Sequence, residues 1–192
     1  MHKVEQFWQQ VALSEKPLQT QLQRYEAKHS PEYIKKFIAI GGGARMGTLM
    51  EQYARFHFSA LQKRGKGKEE TGYDHLLLGL NDPIRTEPIF VEQKSSGHWT
   101  DTGYKWQHIE PNHKWTMLLL CGIDYEDIQF WGMTRATFVR LTAEKKITNQ
   151  GAKGGQSSEG MWFNSSDVQD SLVPLTTNEE LLAFAVLALK EE

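Results

Sequence analysis

The first third of the chain has apolar residues at helical spacing. Between residues 4 and 28 they recur in two pieces interrupted near Pro17, which predicts two short helices. Pro31 follows a serine cap and opens another short helix, which a run of three glycines ends. A further amphipathic stripe predicts one longer helix from Ala44 to Leu61. Residues 1–43 are therefore expected to form a helical N-terminal extension.

Short apolar runs replace the helical pattern in the middle of the chain. Residues 75–80 and 88–94 predict two strands joined by a turn, because Asn, Asp and Pro lie between them. Residues 115–121 and 127–133 predict two more strands, and helical spacing returns over residues 134–141. The predicted strands follow one another as a meander before the chain returns to a helix.

The last part of the chain combines a loop with a closing helix. Residues 151–160 are rich in Gly, Ser and Gln, which predicts a flexible loop, and residues 161–163 predict a last short strand. Thr177 followed three residues later by Glu180 is typical of a capping box, so a helix is expected from there through Leu189. Together these elements predict a single α/β domain over all 192 residues, with a mixed central β-sheet flanked by helices.

Composition limits what this domain can be. Of the 192 residues, 39% are hydrophobic, so the chain has room for one sizeable core and not for two. Its only cysteine, Cys121, excludes an intramolecular disulfide and ends an apolar run typical of a buried strand. The chain has no signal-peptide pattern and no run of about 20 apolar residues, so we expect a cytoplasmic protein without a membrane partner.

The net charge of −2 conceals an uneven distribution. Residues 1–158 carry 21 Lys and Arg against 17 Asp and Glu, whereas residues 159–192 carry one against seven. A mildly basic body is thus joined to an acidic closing segment. The overall charge argues against a nucleic-acid partner, but its distribution does not.

Several common catalytic patterns are missing or incomplete. Gly42 and Gly47 have the spacing of a phosphate-binding loop, but no lysine follows the second glycine. His108 and His113 lack the spacing of a zinc protease, and no Gly-x-Ser-x-Gly sequence occurs. These residues therefore do not identify a catalytic site.

The informative constellation combines Asp74 with Glu92, Gln93 and Lys94. Glu92 and Lys94 are two residues apart at the end of a predicted strand, so both side chains emerge from one face while Gln93 points the other way. If the two predicted strands pair antiparallel, Asp74 comes close to Glu92. Two such carboxylates repel each other unless a cation lies between them, and a hard divalent ion is the natural occupant. A solvated strand end with an ordinary ion pair explains the same residues, and the residues alone leave both interpretations open.

The sequence here resembles the PD-(D/E)XK nuclease superfamily, the fold of many restriction endonucleases. The resemblance lies in an acid, Asp74, followed after a spacer by Glu92-x-Lys94 on the next predicted strand. The resemblance covers roughly residues 44 to 141 and includes an acid, Glu51, on the preceding helix. It implies a restriction-endonuclease-like catalytic core over that range. Tyr73 stands where the motif has proline, and Asp82 is a rival first acid, although it lies in a predicted turn before proline.

The resemblance also implies a role for each candidate residue. Asp74 and Glu92 would hold Mg²⁺ together with the main-chain carbonyl of Gln93. Lys94 would sit beside the attacking water and stabilise the charge that develops on the phosphate. Glu51 is a candidate for an outer or second-metal contact, and a solvated helix acid is the alternative.

Positive charges outside this constellation suggest how double-stranded DNA would be held. They would lie along the DNA backbone, which positions the protein without specifying sequence. These candidates are Lys63, Arg64, Lys66, Lys68 and Lys153. Cleavage of both strands would favour a homodimer, an expectation that comes from the family.

Three functions are compatible with these residues. The first is a Mg²⁺-dependent DNA endonuclease of the type II restriction class. The second is a non-catalytic DNA-binding or assembly subunit with the same fold. The third is a repair or phage nuclease that recognises DNA structure rather than a sequence.

Overall fold

The computed structural model describes residues 20–41, 43–67, 71–78, 88–100, 103–150 and 160–191. The helices of this part of the chain are α1 (Gln21–Ala27), α2 (Glu32–Ala39), α3 (Gly43–His57), α4 (Arg135–Ala143), α5 (Ser165–Val168) and α6 (Asn178–Lys190). Its strands are β1 (Leu61–Lys63), β2 (His75–Leu77), β3 (Ile89–Thr100), β4 (Gly103–Ile109), β5 (Met117–Ile123), β6 (Ile128–Thr134), β7 (Thr148–Asn149), β8 (Met161–Asn164) and β9 (Val173–Pro174). None of the described helices is both long and apolar enough to cross a membrane.

These strands form a mixed, mostly antiparallel open sheet flanked by helices. The main path runs β7-β8-β4-β3-β5-β6-β9, and β2 pairs with both β1 and β3. The β3–β5 pair is parallel and the other described pairs are antiparallel. The α/β class and the mixed, helix-flanked sheet predicted from the sequence are therefore confirmed.

Strand β5 lies at the centre of the sheet, and every one of its residues is buried. Met117 and Leu119 belong to the core beneath α1, α2, α3 and α6, whereas Leu118 and Leu120 belong to the core on the other face. A strand covered on both faces needs an apolar residue at every position, which is why this segment has no polar alternation. Cys121 lies in this strand and is fully buried, as predicted, and burial raises the pKa of its thiol.

Strand β3 positions the candidate site because its two edges pair with different strands and over different lengths. One edge pairs with β5 continuously from Val91 to Gly97. The other edge pairs with β2 near the start of β3 and with β4 near its end. Among the described strands, none pairs with residues 92–97 along that second edge. The sheet is thus open at its edge between β2 and β4.

Most of the predicted helices and strands are confirmed, although some begin or end at residues other than those predicted. The strand pair is antiparallel, with His75 opposite Val91, although β2 ends already at residue 77. The capping box is present: Thr177 and Glu180 each accept a hydrogen bond from the other's main-chain N–H. The helix predicted to extend to Leu61 ends at His57 instead, because Leu61 turns into β1 and is buried there.

Other predicted boundaries were wrong or fall outside the described residues. Strand β3 does not end at Lys94 but continues to Thr100, and β4 follows it where no strand was predicted. The helices predicted before residue 20, the turn between the first two predicted strands and residues 151–159 of the predicted loop lie outside the described part of the chain.

Candidate active site

Asp74 immediately precedes β2 and is fixed by two hydrogen bonds to β3. Its main-chain N–H donates to the carbonyl of Val91 at 2.9 Å, and its carboxylate Oδ2 accepts from the main-chain N–H of Gln93 at 2.9 Å. The antiparallel pairing thus brings Asp74 beside the Glu-x-Lys segment, as the sequence predicted. Since the N–H and C=O of a strand residue point to the same side, the carbonyl of Gln93 also faces this open edge of the sheet.

Glu92 and Lys94 lie on one face of β3, with Lys94 Nζ 2.5 Å from Glu92 Oε1. Glu92 is only 6% exposed. Burial raises the pKa of Glu92 above its ordinary value, and the charge of Asp74 adds to this effect. Lys94 lowers the same pKa without cancelling the rise. Ionised Glu92 is therefore disfavoured mainly by its burial, and the pairing with Lys94 only partly compensates.

Glu51 on α3 lies in the electrostatic field of the same two acids. Its side chain is 31% exposed and its Oε2 is 3.9 Å from Nη1 of Arg55. Burial raises the pKa of Glu51, and the negative charges of Asp74 and Glu92 raise it further. Glu51 is thus a half-buried acid beside the candidate site rather than a fully solvated one.

A buried polar network lies behind these acids and was not predicted. His75 is fully buried, with Nδ1 3.0 Å from Nη1 of Arg55 and Nε2 2.7 Å from Oε1 of Gln93. Arginine can only donate, so Nδ1 accepts and the protonated Nε2 donates to Gln93, which makes the imidazole neutral. Burial lowers the pKa of His75 to about 4. Gln93 in turn donates to Oγ of Ser95 at 3.1 Å.

The sequence positions of His75 and Arg55 are consistent with this network but do not predict it. His75 directly follows Asp74, and Arg55 stands one helical turn after Glu51. Neither position departs from the surrounding hydrophobic pattern in a way that indicates a partner. Their contact joins a helix to a strand, which the spacing within either element does not reveal.

A cleft of about 730 Å³ opens along the unpaired edge of β3. At one end it is lined by Glu51, Asp74, Gln93 and Lys94. At the other end it is lined by Trp99, Lys105, Gln107 and His108. Glu92 does not line it, because its side chain lies on the more buried side of its pair with Lys94. The first turns of α3, including Gly43 and Gly47, form the opposite wall.

The predicted DNA-contacting residues are brought together only in part. Lys63, Arg64 and Lys66 are exposed, and Lys63 lies opposite His75 in the β1–β2 pair. Arg64 donates to the carbonyl of Tyr73 at 3.2 Å, immediately before Asp74. This basic segment therefore lies beside the candidate site. Lys68 and Lys153 fall outside the described residues.

Within the described ranges, no group of three or more His, Cys, Asp and Glu side chains is arranged to hold a metal ion. The set predicted from the sequence is smaller: two carboxylates and one main-chain carbonyl. These are the hard oxygen donors that Mg²⁺ prefers. Burial, and after it the charge of Asp74, raises the pKa of Glu92, and a divalent cation between the two carboxylates would offset both effects.

Comparison with known proteins gives no match of significance to a family model, a curated protein or a solved structure. The interpretation of the site accordingly depends on its own geometry and on the motif it resembles.

Proposed function

We propose that this chain is a Mg²⁺-dependent DNA endonuclease that hydrolyses phosphodiester bonds, with a restriction-endonuclease-like core over residues 44–141. The single observation that carries the proposal is the hydrogen bond from Gln93 N–H to Asp74, which joins an anchored acid to the adjoining Glu92–Lys94 pair. This hydrogen bond holds Asp74 at the open sheet edge beside Gln93 and Lys94, and the more buried Glu92 lies behind them in its ion pair with Lys94.

The residues fit a divalent cation. Asp74 and Glu92 would contribute carboxylate oxygens and Gln93 its main-chain carbonyl. When bound, Mg²⁺ supplies Lewis-acid polarisation of the scissile phosphate. The raised pKa of Glu92 supports this assignment, because a buried acid beside another acid is stabilised when a cation joins them.

Lys94 is the residue that would act on the reacting atoms. Its side chain is 20% exposed and reaches the cleft while its ammonium group stays paired with Glu92. From there it orients the attacking water and stabilises negative charge that builds up on the phosphate oxygens. Glu51, half-buried in the wall of the same cleft, would accept a hydrogen bond from that water.

The basic segment next to Asp74 would hold the DNA backbone. Lys63, Arg64 and Lys66 are exposed and carry three positive charges. Contacts of this kind neutralise phosphates without reading sequence, so binding should weaken as salt rises. Double-stranded DNA is thus the proposed partner, and a homodimer is the proposed form for cutting both strands.

Two kinds of endonuclease are compatible with this site. A type II restriction endonuclease is the first candidate, from the motif. A nuclease that recognises DNA structure is the second, and one observation favours it: the exposed indole of Trp99 lies in the wall of the same cleft.

Digestion of one long unmodified DNA in Mg²⁺ tests the proposal. We expect cleavage by the wild type, a loss of at least about 100-fold in Lys94→Ala, and full cleavage by Lys36→Ala, an exposed lysine on α2. Discrete bands identify sequence recognition and a smear identifies structural recognition. Equal cleavage by wild type and Lys94→Ala contradicts the proposed site. Binding without cleavage in Mg²⁺ or Mn²⁺ identifies a non-catalytic subunit instead.

A further inference from the structure

Trp99 is an exposed aromatic residue on a fixed backbone. The residue is 56% exposed, although indoles are usually largely buried, and it lines the same cleft as Asp74 and Lys94. Helix α1 anchors its backbone: Arg24 Nη1 donates to the carbonyl of Trp99 at 2.6 Å, and Gln21 Nε2 donates to the carbonyl of the preceding residue at 3.2 Å. The exposed indole therefore projects from an anchored strand backbone.

A cation and a second indole lie beside Trp99. The ammonium group of Lys105 is 5.0 Å from the ring centroid of Trp99 and 4.1 Å from that of Trp162. Trp162, on β8, is partly exposed. We call these three residues the indole platform. Two of its members, Trp99 and Lys105, line the cleft and offer it an aromatic face and a positive charge.

An unpaired nucleobase with its phosphate matches this chemistry. A base stacks on an aromatic face whatever its identity, and a lysine offsets the adjoining phosphate charge. Bases inside a duplex already have both faces stacked, so away from duplex ends only an unpaired base can stack on the platform. An apolar peptide segment fits less well, because Lys105 would be desolvated without a partner.

We propose that the indole platform is a stacking subsite for an unpaired base of a DNA strand that runs through the cleft. The inference rests on the proposed nuclease function and narrows its substrate to DNA with a single-stranded segment. Trp99 lies five positions after Lys94 on β3, a distance of about 17 Å along the strand. That distance corresponds to about five steps of stacked bases, so the subsite receives a base several nucleotides from the cleaved bond.

Binding in Ca²⁺ tests the platform separately from cleavage. The probe is a fluorescein-labelled single strand of about 16 nucleotides, compared with a blunt duplex of the same sequence by fluorescence anisotropy. We expect Trp99→Ala to weaken single-strand binding about tenfold or more and to weaken duplex binding far less, whereas Trp99→Phe retains stacking. Tyr33→Ala is the matched control, because Tyr33 is a 63% exposed aromatic residue outside the cleft.

The outcomes separate the two proposals. Equal loss of single-strand and duplex binding in Trp99→Ala, or no loss in either, overturns the platform even if the wild type cleaves DNA. A selective loss of single-strand binding supports the platform even if no DNA is cleaved in Mg²⁺, and in that case the nuclease proposal alone fails. If Trp99→Ala melts at a lower temperature, the Trp99→Phe comparison still decides, since Phe preserves a stacking face.

Discussion

The imidazole of His75 donates from Nε2 to the side-chain oxygen of Gln93 over 2.7 Å in the protein interior. Gln93 is the residue between Glu92 and Lys94, and its main-chain N–H holds the carboxylate of Asp74. The imidazole therefore fixes the peptide from which the proposed catalytic groups project. In the proposed endonuclease His75 would be a positioning residue, because it would act on the reacting groups only through Gln93.

The neutral state of His75 makes stability depend on pH. Its pKa is lowered by burial to about 4 in the folded protein, against about 6.5 in an unfolded chain. The unfolded state therefore binds more protons between these values, so the stability from this residue is complete above pH 6.5 and is lost as pH falls towards 4. Between pH 7 and pH 5 the wild type should lose about 2 kcal/mol more than His75→Gln in urea denaturation. Equal losses would mean that the pKa of His75 is not lowered in the folded protein.

The strand pair and the Glu-x-Lys segment could be predicted because they depend on local pattern. Side chains alternate along a strand, so Glu92 and Lys94 had to share a face once the segment was assigned as a strand. The antiparallel pairing then placed Asp74 next to that segment. Both steps depend only on residues within one strand or on two strands that follow each other in the sequence.

Contacts between distant elements could not be predicted in this way. Arg55 reaches His75 because α3 packs against β2 with one particular rotation about its axis, which helical spacing does not determine. Strand β4 pairs mainly with β8, over fifty residues later, and its alternation of Tyr104, Lys105, Trp106 and Gln107 was the signal that could have revealed it. The far end of the cleft, with Trp99 and Lys105, depends on that strand and was missed with it.

Asp74→Asn should remove function while keeping the fold. The amide oxygen of asparagine can still accept the hydrogen bond from Gln93 N–H, so the β2–β3 connection persists. The lost negative charge should reduce Mg²⁺-dependent cleavage by at least about 100-fold and abolish any rise in melting temperature on adding Mg²⁺. Asp170→Asn, an exposed acid near the C-terminal helix, is the control and should behave as the wild type. An active Asp74→Asn protein would exclude this carboxylate as a ligand.

Glu92→Gln should stabilise the metal-free protein. Burial and the charge of Asp74 raise the pKa of Glu92, so its ionised form destabilises the folded state at neutral pH in spite of Lys94. Stability associated with the protonated acid is present at low pH and is lost as pH rises through the raised pKa, so the gain from the substitution should shrink on acidification. Thermal melts with EDTA at neutral and acidic pH measure this gain. If the variant melts at a lower temperature at neutral pH, the ion pair with Lys94 outweighs burial.

The same variant should no longer respond to the metal. A ligand that binds only the folded state raises its stability, by about 2.7 kcal/mol when present at 100 times its dissociation constant. Mg²⁺ should therefore stabilise the wild type and leave Glu92→Gln unchanged. A variant stabilised as much as the wild type would show that the ion binds elsewhere in the protein.

Two substitutions of Gly47 separate helix stability from access to the cleft. Gly47 lies inside α3 and lines the cleft, and a Cβ added there meets no atom within 4 Å. Gly47→Ala should therefore stabilise the protein by about 1 kcal/mol, because glycine is a poor helix former. Gly47→Leu should also fold, but its side chain extends into the cleft opposite β3. A DNA strand can then no longer lie in the cleft, so DNA binding should weaken about tenfold more than in Gly47→Ala. Urea denaturation and anisotropy in Ca²⁺ measure the two effects. DNA binding that is equally strong in both variants would place the nucleic acid outside this cleft.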